Sequence, residues 1–350
     1  MEIGLMSAWN SDSGASVHAE LIGREWVKQG HNLTVFSFLK KSFHGTVVTL
    51  KDEAYVKRCF TTSLTQPQFL DPTPFLSSDY QVFVVQDLGM LPKEPLLKIF
   101  PQIKKRAKTI NIIHDNKPSK DPLFWKFDFD AIVCFDQRYK TFLKKFSPEK
   151  KIYIIPYPCY PLKTGDMEKA RNQLRLPLDK KIIFTFGQAA KYAPETLLTI
   201  SKLKKEFPVL VLAITKDKEA ILGFQKAKKS FAPILLKEKT LSLQELYEYL
   251  YAADCLIFNK KSKEGIVVPS TIFLCLGSGC PVLAYDSNFV EMLSKEVMKY
   301  SNSNEFYRNL ISIFNKDKKW VETKKAAKEF VQQNQASQIA KEYINLFQKI

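Results

Sequence analysis

The 350-residue sequence lacks paired cysteines and long apolar runs, and it has few histidines. Its six cysteines include no Cys-x-x-Cys pair and no histidine at a matching spacing, which argues against a zinc site or a disulfide framework. The histidines are His18, His31, His44 and His114. Apolar runs such as 81–85 and 182–186 are far shorter than the roughly 20 residues of a membrane-spanning helix. We therefore expect buried free thiols and no segment that crosses a bilayer.

The N-terminal residues 1–6 show no basic stretch ahead of an apolar core, so they do not resemble a secretory signal. This indicates a cytoplasmic protein. Basic residues are in excess, with 53 Lys and Arg against 36 Asp and Glu. In the first half the excess is concentrated in windows 93–108 and 138–151. Such clustering favours an anionic partner, namely a lipid surface, a phosphorylated acceptor or nucleic acid; a solvated lysine-rich face is the alternative.

The segment 95–103 mixes apolar residues with the lysines that follow it, as an interfacial helix does, although Pro101 should kink or shorten it. We therefore expect peripheral attachment to anionic lipid at the inner face of the cell membrane. The cations expected to take part are Lys93, Lys98, Lys104, Lys105, Arg106 and Lys108.

Short β-branched runs alternate with amphipathic segments, which is typical of a parallel α/β fold. The pattern predicts strands at 2–6, 33–38, 81–85, 109–113, 131–135, 151–155, 181–186, 209–214, 233–236, 254–258 and 281–284. A helix over 16–29 should end at Gly30, and a second helix is predicted over 194–207. Three prolines within 156–161 indicate a connector between domains. The prediction is two Rossmann-like doubly wound domains, 1–157 and 158–325, which face each other across a ligand-binding cleft.

Two places in the first half carry candidate functional residues. Ser13, Gly14 and Ala15 form the first strand-to-helix turn, where free amides can bind an anion, although the turn alone would explain the glycine. On spacing alone, His18 is a partly buried helix residue. His114 follows the strand at 109–113 and precedes Asp115, so it can donate to a substrate oxygen or move a proton, or else serve only as a loop histidine.

The second half offers groups suited to a diphosphate. Gly187 and Gln188 close a strand, and Lys191 follows, so that a glycine and a flexible cation stand at one sheet edge. Glu264 and Gly265 come after the strand at 254–258. Two hydroxyl residues of the type that caps helices then begin an apolar helix, and they either hold phosphate oxygens or serve as caps alone. They are Ser270 and Thr271.

The order of several stretches along the chain adds a resemblance. They are 13–21, 30–36, His114-Asp115, 154–156, Phe186-Gly187, 246–254 and 279–284. Together they resemble the GT-B glycosyltransferases, specifically the retaining family-4 group, over nearly the whole chain. The resemblance implies that the N-terminal domain binds the acceptor and the C-terminal domain binds a nucleotide-sugar donor. It also implies a retaining hexosyl transfer without a metal or other cofactor, and C-terminal helices, 326–350, that return to the first domain.

The resemblance also assigns residues. It implies catalytic roles for His114, Lys191 and Glu264. It implies donor contacts for Gly14, Ala15, Gly187, Gln188, Lys191, Glu264, Gly265, Ser270 and Thr271, and an acceptor side at Ser13, His18 and Asp115. Two positions depart from the family pattern. Gln188 stands where an arginine is usual, and Leu274 stands where a second glutamate would accept hydrogen bonds from the ribose.

The acceptor implied is a glycan, a lipid-linked molecule or another anionic molecule, and three other functions stay open. A sugar-nucleotide epimerase has the same fold, and a catalytically silent binder of glycans or nucleotide sugars is consistent with Gln188 and Leu274. A nucleic-acid binder fits the charge, but the sequence shows no interleaved aromatic and basic motif. Donor base, sugar identity and acceptor are not determined by the sequence.

Overall fold

Strands of three to seven residues, most of them rich in apolar side chains, form two parallel β-sheets in the computed structural model, which describes residues 1–42, 51–228 and 233–350. His44 therefore lies outside the described residues. The first sheet has the order β3-β2-β1-β4-β5-β6-β7. Its strands are β1 (Glu2–Met6), β2 (Asn32–Phe38), β3 (Val56–Phe60), β4 (Val82–Gln86), β5 (Lys108–Ile112), β6 (Ala131–Cys134) and β7 (Ile152–Ile154).

The second sheet has the order β10-β9-β8-β11-β12-β13, and its paired strands are again parallel. Its strands are β8 (Lys181–Phe186), β9 (Val209–Ile214), β10 (Ile234–Lys237), β11 (Cys255–Phe258), β12 (Val282–Tyr285) and β13 (Met298–Tyr300). The central strands β8, β9 and β11 are almost wholly buried, as expected for a sheet covered on both faces. The predicted α/β class with two doubly wound sheets is confirmed.

Helices connect the parallel strands. Those in the first half are α1 (Gly14–Lys28), α2 (Pro72–Ser77), α3 (Lys93–Lys104) and α4 (Gln137–Leu143). The later ones are α5 (Met167–Leu174), α6 (Leu197–Lys202), α7 (Lys218–Lys228), α8 (Leu243–Ala252), α9 (Ser270–Leu276), α10 (Ser303–Asn315), α11 (Lys318–Asn334) and α12 (Ala336–Lys349). Short 3-10 segments lie at Leu88–Met90, Pro122–Lys126, Glu149–Lys151, Gly187–Thr196 and Leu203–Lys205. None of the helices within the described ranges has the length and hydropathy of a bilayer span.

The chain divides into two compact units. The first comprises Met1–Pro158, Glu264–Ile266 and Asn334–Ile350, and the second comprises Cys159–Lys263 and Val267–Gln333. The returning helix was expected to begin at residue 326, but that residue lies inside α11. The helix that belongs to the first unit is α12, because the C-terminal part of that unit begins at Asn334. It packs on α1, where the Trp26 indole donates to the Ala340 carbonyl oxygen at 3.1 Å and its ring meets Phe347 at 5.5 Å.

Three local predictions differ from the structure, and one is confirmed. β3 and β13 were not predicted, because β3 carries two cations in five residues and β13 has only three residues. The helix predicted over 194–207 is instead a 3-10 segment followed by α6. Gly30 follows the last turn of α1 with a φ of 83°, as predicted for the residue that ends this helix.

The prediction that residues 95–103 form an interfacial helix is wrong, because the apolar face of that helix is buried. α3 buries its apolar side chains inside the first unit, so they are not available to a membrane; these are Leu96, Ile99, Phe100 and Ile103. Lys93 is only 5% exposed, and its ammonium group pairs with Asp121 at 3.2 Å and donates to the Gly89 carbonyl oxygen. Lys93 is therefore excluded as a lipid-binding cation in this structure.

Two more of the six expected cations are engaged within the fold. Lys104 pairs with Asp128 at 2.5 Å, and the Arg106 guanidinium donates to the backbone carbonyl of Leu76 and lies over the Tyr80 ring. Lys98, Lys105 and Lys108 are exposed, and they are the members of the set that a surface could reach.

Candidate functional site

The strand order points to the loops at two places. In the first sheet β1 lies between β2 and β4, so the chain changes direction there, and in the second sheet β8 lies between β9 and β11. Open parallel sheets bind ligands beyond the carboxyl ends of such strands. Each unit is therefore considered by itself, with the loops after β1, β4 and β5 as candidates in the first unit and the loops after β8 and β11 as candidates in the second.

The loop after β1 leads directly into α1. The Ser13 hydroxyl caps this helix by accepting the Ser16 amide at 3.2 Å, and the Tyr157 hydroxyl donates to the Gly14 carbonyl oxygen at 2.9 Å. Ser13 and Gly14 are half-buried, whereas Ala15 is buried. The turn is thus held at both ends, and Gly14 is the more accessible of the two residues predicted to contact a donor phosphate.

His114 lies in a network of buried polar groups in the first unit. Its Nε2 is 3.0 Å from the side-chain oxygen of Gln86, the last residue of β4, and His18 Nδ1 approaches that same oxygen to 2.9 Å. The Tyr343 hydroxyl of α12 reaches His18 Nε2 at 3.4 Å. His18 is fully buried, not partly buried as expected, and burial lowers its pKa to about 3. It contacts the Gln86 side chain and the His114 ring, whose centre lies 5.1 Å from its own.

Two carboxyl groups lie beside this network. Burial, followed by repulsion from Asp87, raises the pKa of Asp115 to about 7, and burial raises the pKa of Asp87 to about 6. One oxygen of Asp115 is buried without a hydrogen-bond partner. Lys93 lies close enough to oppose both shifts. Both carboxyl groups therefore keep their protons to a higher pH than an exposed aspartate does.

The segment Glu264–Ile266 packs in the first unit, two residues beyond His114. The Ile266 amide donates to the Asn116 carbonyl oxygen at 2.7 Å, and the Asn116 side chain donates to the Glu264 carbonyl oxygen at 3.1 Å. The exposed Glu264 carboxylate pairs with Lys117 at 3.1 Å. The structure thus brings the predicted residues Glu264 and Gly265 to the loop that carries His114 and Asp115.

In the second unit, Gly187 directly follows β8 with a φ of 60°, and its carbonyl oxygen accepts from the Thr215 hydroxyl at 2.9 Å. Gln188 is exposed. Lys191 lies in the following 3-10 segment, 3.7 Å from the Glu219 carboxylate and with its ammonium group 5.0 Å from the Tyr192 ring centre. The predicted glycine and lysine are therefore next to one another at the carboxyl end of β8.

A second lysine at this edge was missed by the sequence analysis. Lys260 lies two residues beyond the end of β11, is half-buried, and has its ammonium group 5.3 Å from the ring centre of Phe289. Burial and then the neighbouring charges of Lys263 and Lys191 lower the pKa of Lys260. The carboxyl ends of β8 and β11 thus carry a cluster of three lysines, called here the lysine cluster.

Solved structures share this architecture. A glycosyltransferase from Rickettsia africae matches with a TM-score of 0.70 at 14% identity, over 99% of this chain and 98% of that one. HepE from Anabaena, in complex with UDP-glucose, matches at 0.68 and 12% identity over 100% of both chains. Sucrose-phosphate synthase from Thermosynechococcus elongatus matches at 0.67 and 15% identity, over 100% of this chain and 98% of that one. The chain has the GT-B fold. No family model matches the sequence.

One expectation for the helix that begins at Ser270 is wrong in detail. α9 has Pro269 as its N-cap and no side-chain cap, so Ser270 and Thr271 are half-buried first-turn residues and not caps. Leu274 lies in the same helix, and its carbonyl oxygen accepts from the Tyr247 hydroxyl at 2.8 Å. Donor contacts by Ser270 and Thr271 stay a prediction.

Gln86, Asp87 and Lys260 were not predicted as site residues, although each follows an apolar run closely, as His114 does. Gln86 and Asp87 follow the apolar run 82–85, and Lys260 follows the run 255–258 after a single asparagine. Polar residues directly after an apolar strand were the reason for selecting His114, and the same rule applied to β4 and β11 would have found them. Tyr343 has no such signal, because it reaches His18 only through the packing of α12 on α1.

Metal-ligating side chains are not grouped in the part of the chain that the structure describes. No set of three or more His, Cys, Asp or Glu side chains comes together to hold an ion anywhere in 1–42, 51–228 and 233–350. All six cysteines are buried free thiols, and burial raises the pKa of several of them, for example that of Cys59 to about 12. The thiols are therefore packing groups in their protonated form.

Proposed function

We propose that this GT-B chain is a glycosyltransferase that moves a hexosyl group from a nucleotide-sugar donor to an acceptor, with retention of configuration and without a metal. The observation that carries the proposal is the lysine cluster. Its members, Lys191, Lys260 and Lys263, stand where β8 and β11 end at the switch point of the second sheet. A ligand with concentrated negative charge is the natural occupant of such a place.

The electrostatics of Lys260 support a diphosphate. No carboxylate among the described residues lies within ion-pair distance of Lys260, although the side chain is half-buried between aromatic rings. A partly buried cation without a counter-ion is unfavourable, and two neighbouring cations increase the penalty. A bound diphosphate would supply the missing counter-ion and reduce the repulsion among the three ammonium groups. Negative charge grows on the diphosphate as the sugar departs, so the cluster favours the transition state over the ground state.

Lys260 also addresses the absence of the usual arginine. The resemblance predicts an arginine at 188, and the neutral Gln188 amide cannot supply its charge. Lys260 provides a fixed cation from the adjacent strand. The donor site of this chain is therefore proposed to use β11 where other members use the residue after the glycine.

The sugar and the acceptor are assigned to the first unit. His114 and Glu264 are proposed to contact the transferred sugar, with Gly14 and Ala15 on the donor phosphate. Ser13 and Asp115 are proposed to lie on the acceptor side. His18 is proposed to support this side from its buried position beside Gln86. HepE has been crystallised with UDP-glucose, so UDP-hexoses are the first donors to test. A glycan or lipid-linked acceptor is proposed, and attachment to anionic lipid would rely on Lys98, Lys105 and Lys108.

The test measures transfer from a panel of UDP-, GDP-, ADP- and dTDP-sugars, first by ligand-induced stabilisation and then by turnover. We expect Lys191→Ala and Lys260→Met each to lower kcat at least about 10-fold. Lys239→Ala is the matched control, because Lys239 is a lysine of the same unit that follows the edge strand β10 and is ion-paired with Glu245 at 2.6 Å. Unchanged kinetics in Lys260→Met would remove the lysine cluster from the reaction.

A second candidate function is a silent binder of nucleotide sugars. Gln188 and Leu274 favour it, since both replace groups that the resemblance assigns to the donor. A binder would be stabilised by a nucleotide sugar in proportion to occupancy, yet it would release no nucleoside diphosphate with any acceptor. An epimerase would instead convert the donor to an isomer in the absence of acceptor.

A further inference from the structure

The strongest unassigned feature is the chain of side chains that joins α12 to His114 inside the first unit. It runs from the Tyr343 hydroxyl to His18, from His18 to the Gln86 amide, and from Gln86 to His114. Tyr343, His18 and Gln86 are each fully buried. Buried polar side chains that meet only one another have well-defined geometry, because any rearrangement leaves a group unsatisfied.

We propose that Gln86 is a positioning residue that fixes the proton of both histidines, holding His18 as its Nδ1–H form and His114 as its Nε2–H form. The reason is the single oxygen that both rings approach. A carbonyl oxygen accepts hydrogen bonds and cannot donate, so each nitrogen that faces it carries the proton. His114 Nδ1 is then the ring atom with the lone pair whenever that ring is neutral.

His18 shows that the assignment is internally consistent. Burial keeps this ring neutral, so it has one N–H, and Gln86 takes it. The other nitrogen, Nε2, must accept, and the group beside it is the Tyr343 hydroxyl, whose pKa burial raises well above its ordinary value. A protonated phenol can donate. The phenol O–H and the ring N–H groups that face Gln86 therefore each have an acceptor, while the Gln86 amide nitrogen is buried without a partner.

The alternative arrangement rotates the Gln86 amide so that its nitrogen faces both rings. Each histidine would then accept from Gln86, and the tautomers would be reversed. In the structure the Gln86 oxygen lies against both rings and the Gln86 nitrogen is buried without a partner. In the alternative arrangement the nitrogen would lie against the rings and the oxygen would take the other position. The two are distinguished by the position of the histidine protons, which is measurable without any substrate.

The experiment uses the full chain labelled with 15N-histidine and long-range proton–nitrogen correlation spectra recorded at neutral pH. His31→Gln, His44→Gln and His114→Gln assign the signals by their disappearance and leave those of His18. We expect His18 as Nδ1–H, which is the less populated form of an unconstrained neutral histidine, and His114 as Nε2–H. Observation of His18 as Nε2–H or of His114 as Nδ1–H overturns the proposal.

A pair of variants separates positioning from simple packing. Gln86→Met has similar length without the acceptor, and we expect it to release His18 to the Nε2–H form. Gln81→Met is the matched control, because Gln81 is an exposed glutamine just before the same strand and should leave both tautomers unchanged. If His18 keeps Nδ1–H in Gln86→Met, Gln86 does not fix it.

The consequence for transfer rests on the function proposed above. With His114 beside the sugar, Gln86→Met should lower kcat about 10-fold or more while the KM for donor changes less than about threefold, and Gln86→Glu should restore part of the loss because it retains an acceptor. A wild-type chain with the expected tautomers and no transfer would refute the proposed function alone. Active wild-type protein with reversed tautomers would refute only the role of Gln86.

Discussion

Replacement of Gly265 by alanine tests how the Glu264–Ile266 segment is held in the first unit. Gly265 has a φ of 87°, and a Cβ added to it would overlap the backbone carbonyl of Asn116. The positive φ costs an alanine about 1–2 kcal/mol. Displacement of Asn116 also breaks two hydrogen bonds, the one that its carbonyl accepts from the Ile266 amide and the one that its side chain donates to the Glu264 carbonyl oxygen, worth about 0.5–1.5 kcal/mol each. The segment should therefore lose about 2–5 kcal/mol of local stability.

Hydrogen exchange of the Ile266 amide measures this loss directly, because that amide is protected by its bond to Asn116 and exchanges through local opening. At the lower limit of about 2 kcal/mol, exchange in Gly265→Ala should be roughly 30-fold faster. Gly279→Ala is the matched control. Gly279 also has a positive φ, 72°, but a Cβ there would meet nothing within 4 Å, so Ile266 should exchange at the wild-type rate.

Equal protection of Ile266 in wild type and Gly265→Ala would refute the reasoning, since it would mean that the Asn116 carbonyl does not lie against Gly265. Equal acceleration in both glycine variants would also refute it, because the effect would then come from strain in the chain and not from contact with Asn116. Turnover measured on the same samples would show whether docking of Glu264 matters for transfer.

Two further predictions concern stability. Arg171→Ala should lower the free energy of unfolding of the second unit by about 3–5 kcal/mol in urea titrations, because the buried guanidinium pairs with Asp254 at 2.8 Å and donates to the carbonyl oxygens of Ala252 and Lys180; a loss of less than about 1 kcal/mol, as for an exposed ion pair, would contradict this. Because the pKa of Asp115 is raised to about 7, the folded state keeps a proton that the unfolded state loses near its ordinary pKa, so stability falls as pH rises through that interval. Asp115→Asn should flatten this fall in calorimetric scans, and an unchanged slope would contradict the assignment.

The strands were predictable wherever burial is continuous. Runs such as 82–85 and 209–214 are apolar without interruption, and a parallel sheet covered on both faces requires that pattern. β3 has alternate exposure at the edge of its sheet, and its cations Lys57 and Arg58 hide it from a search for apolar runs. Edge strands are harder to predict because their residues are partly exposed to solvent and so include charged and polar types.

The charge pattern was the least reliable guide. An amphipathic helix shows which face is apolar but not what covers that face, and α3 covers its apolar face with its own domain. Lys93 reads as a surface cation, yet its partner Asp121 lies 28 positions away in the sequence. Long-range pairing of this kind leaves no local signal. The same holds for Tyr343 and His18, which are 325 positions apart.

Buried polar atoms without hydrogen-bond partners mark the places where the fold is less stable than full hydrogen bonding would make it. Eight buried side-chain atoms of the described residues have no hydrogen-bond partner: those of Ser7, Gln68, Gln86, Asn111, Asp115, Thr185, Ser201 and Ser287. Six of these residues lie at or just beyond the carboxyl half of a parallel strand, and only Gln68 and Ser201 do not. Each such group costs about 1–3 kcal/mol when water cannot reach it. A cost repeated at the carboxyl edges of both sheets is explained if those edges serve ligands, since local rules of stability are broken mainly where function requires it.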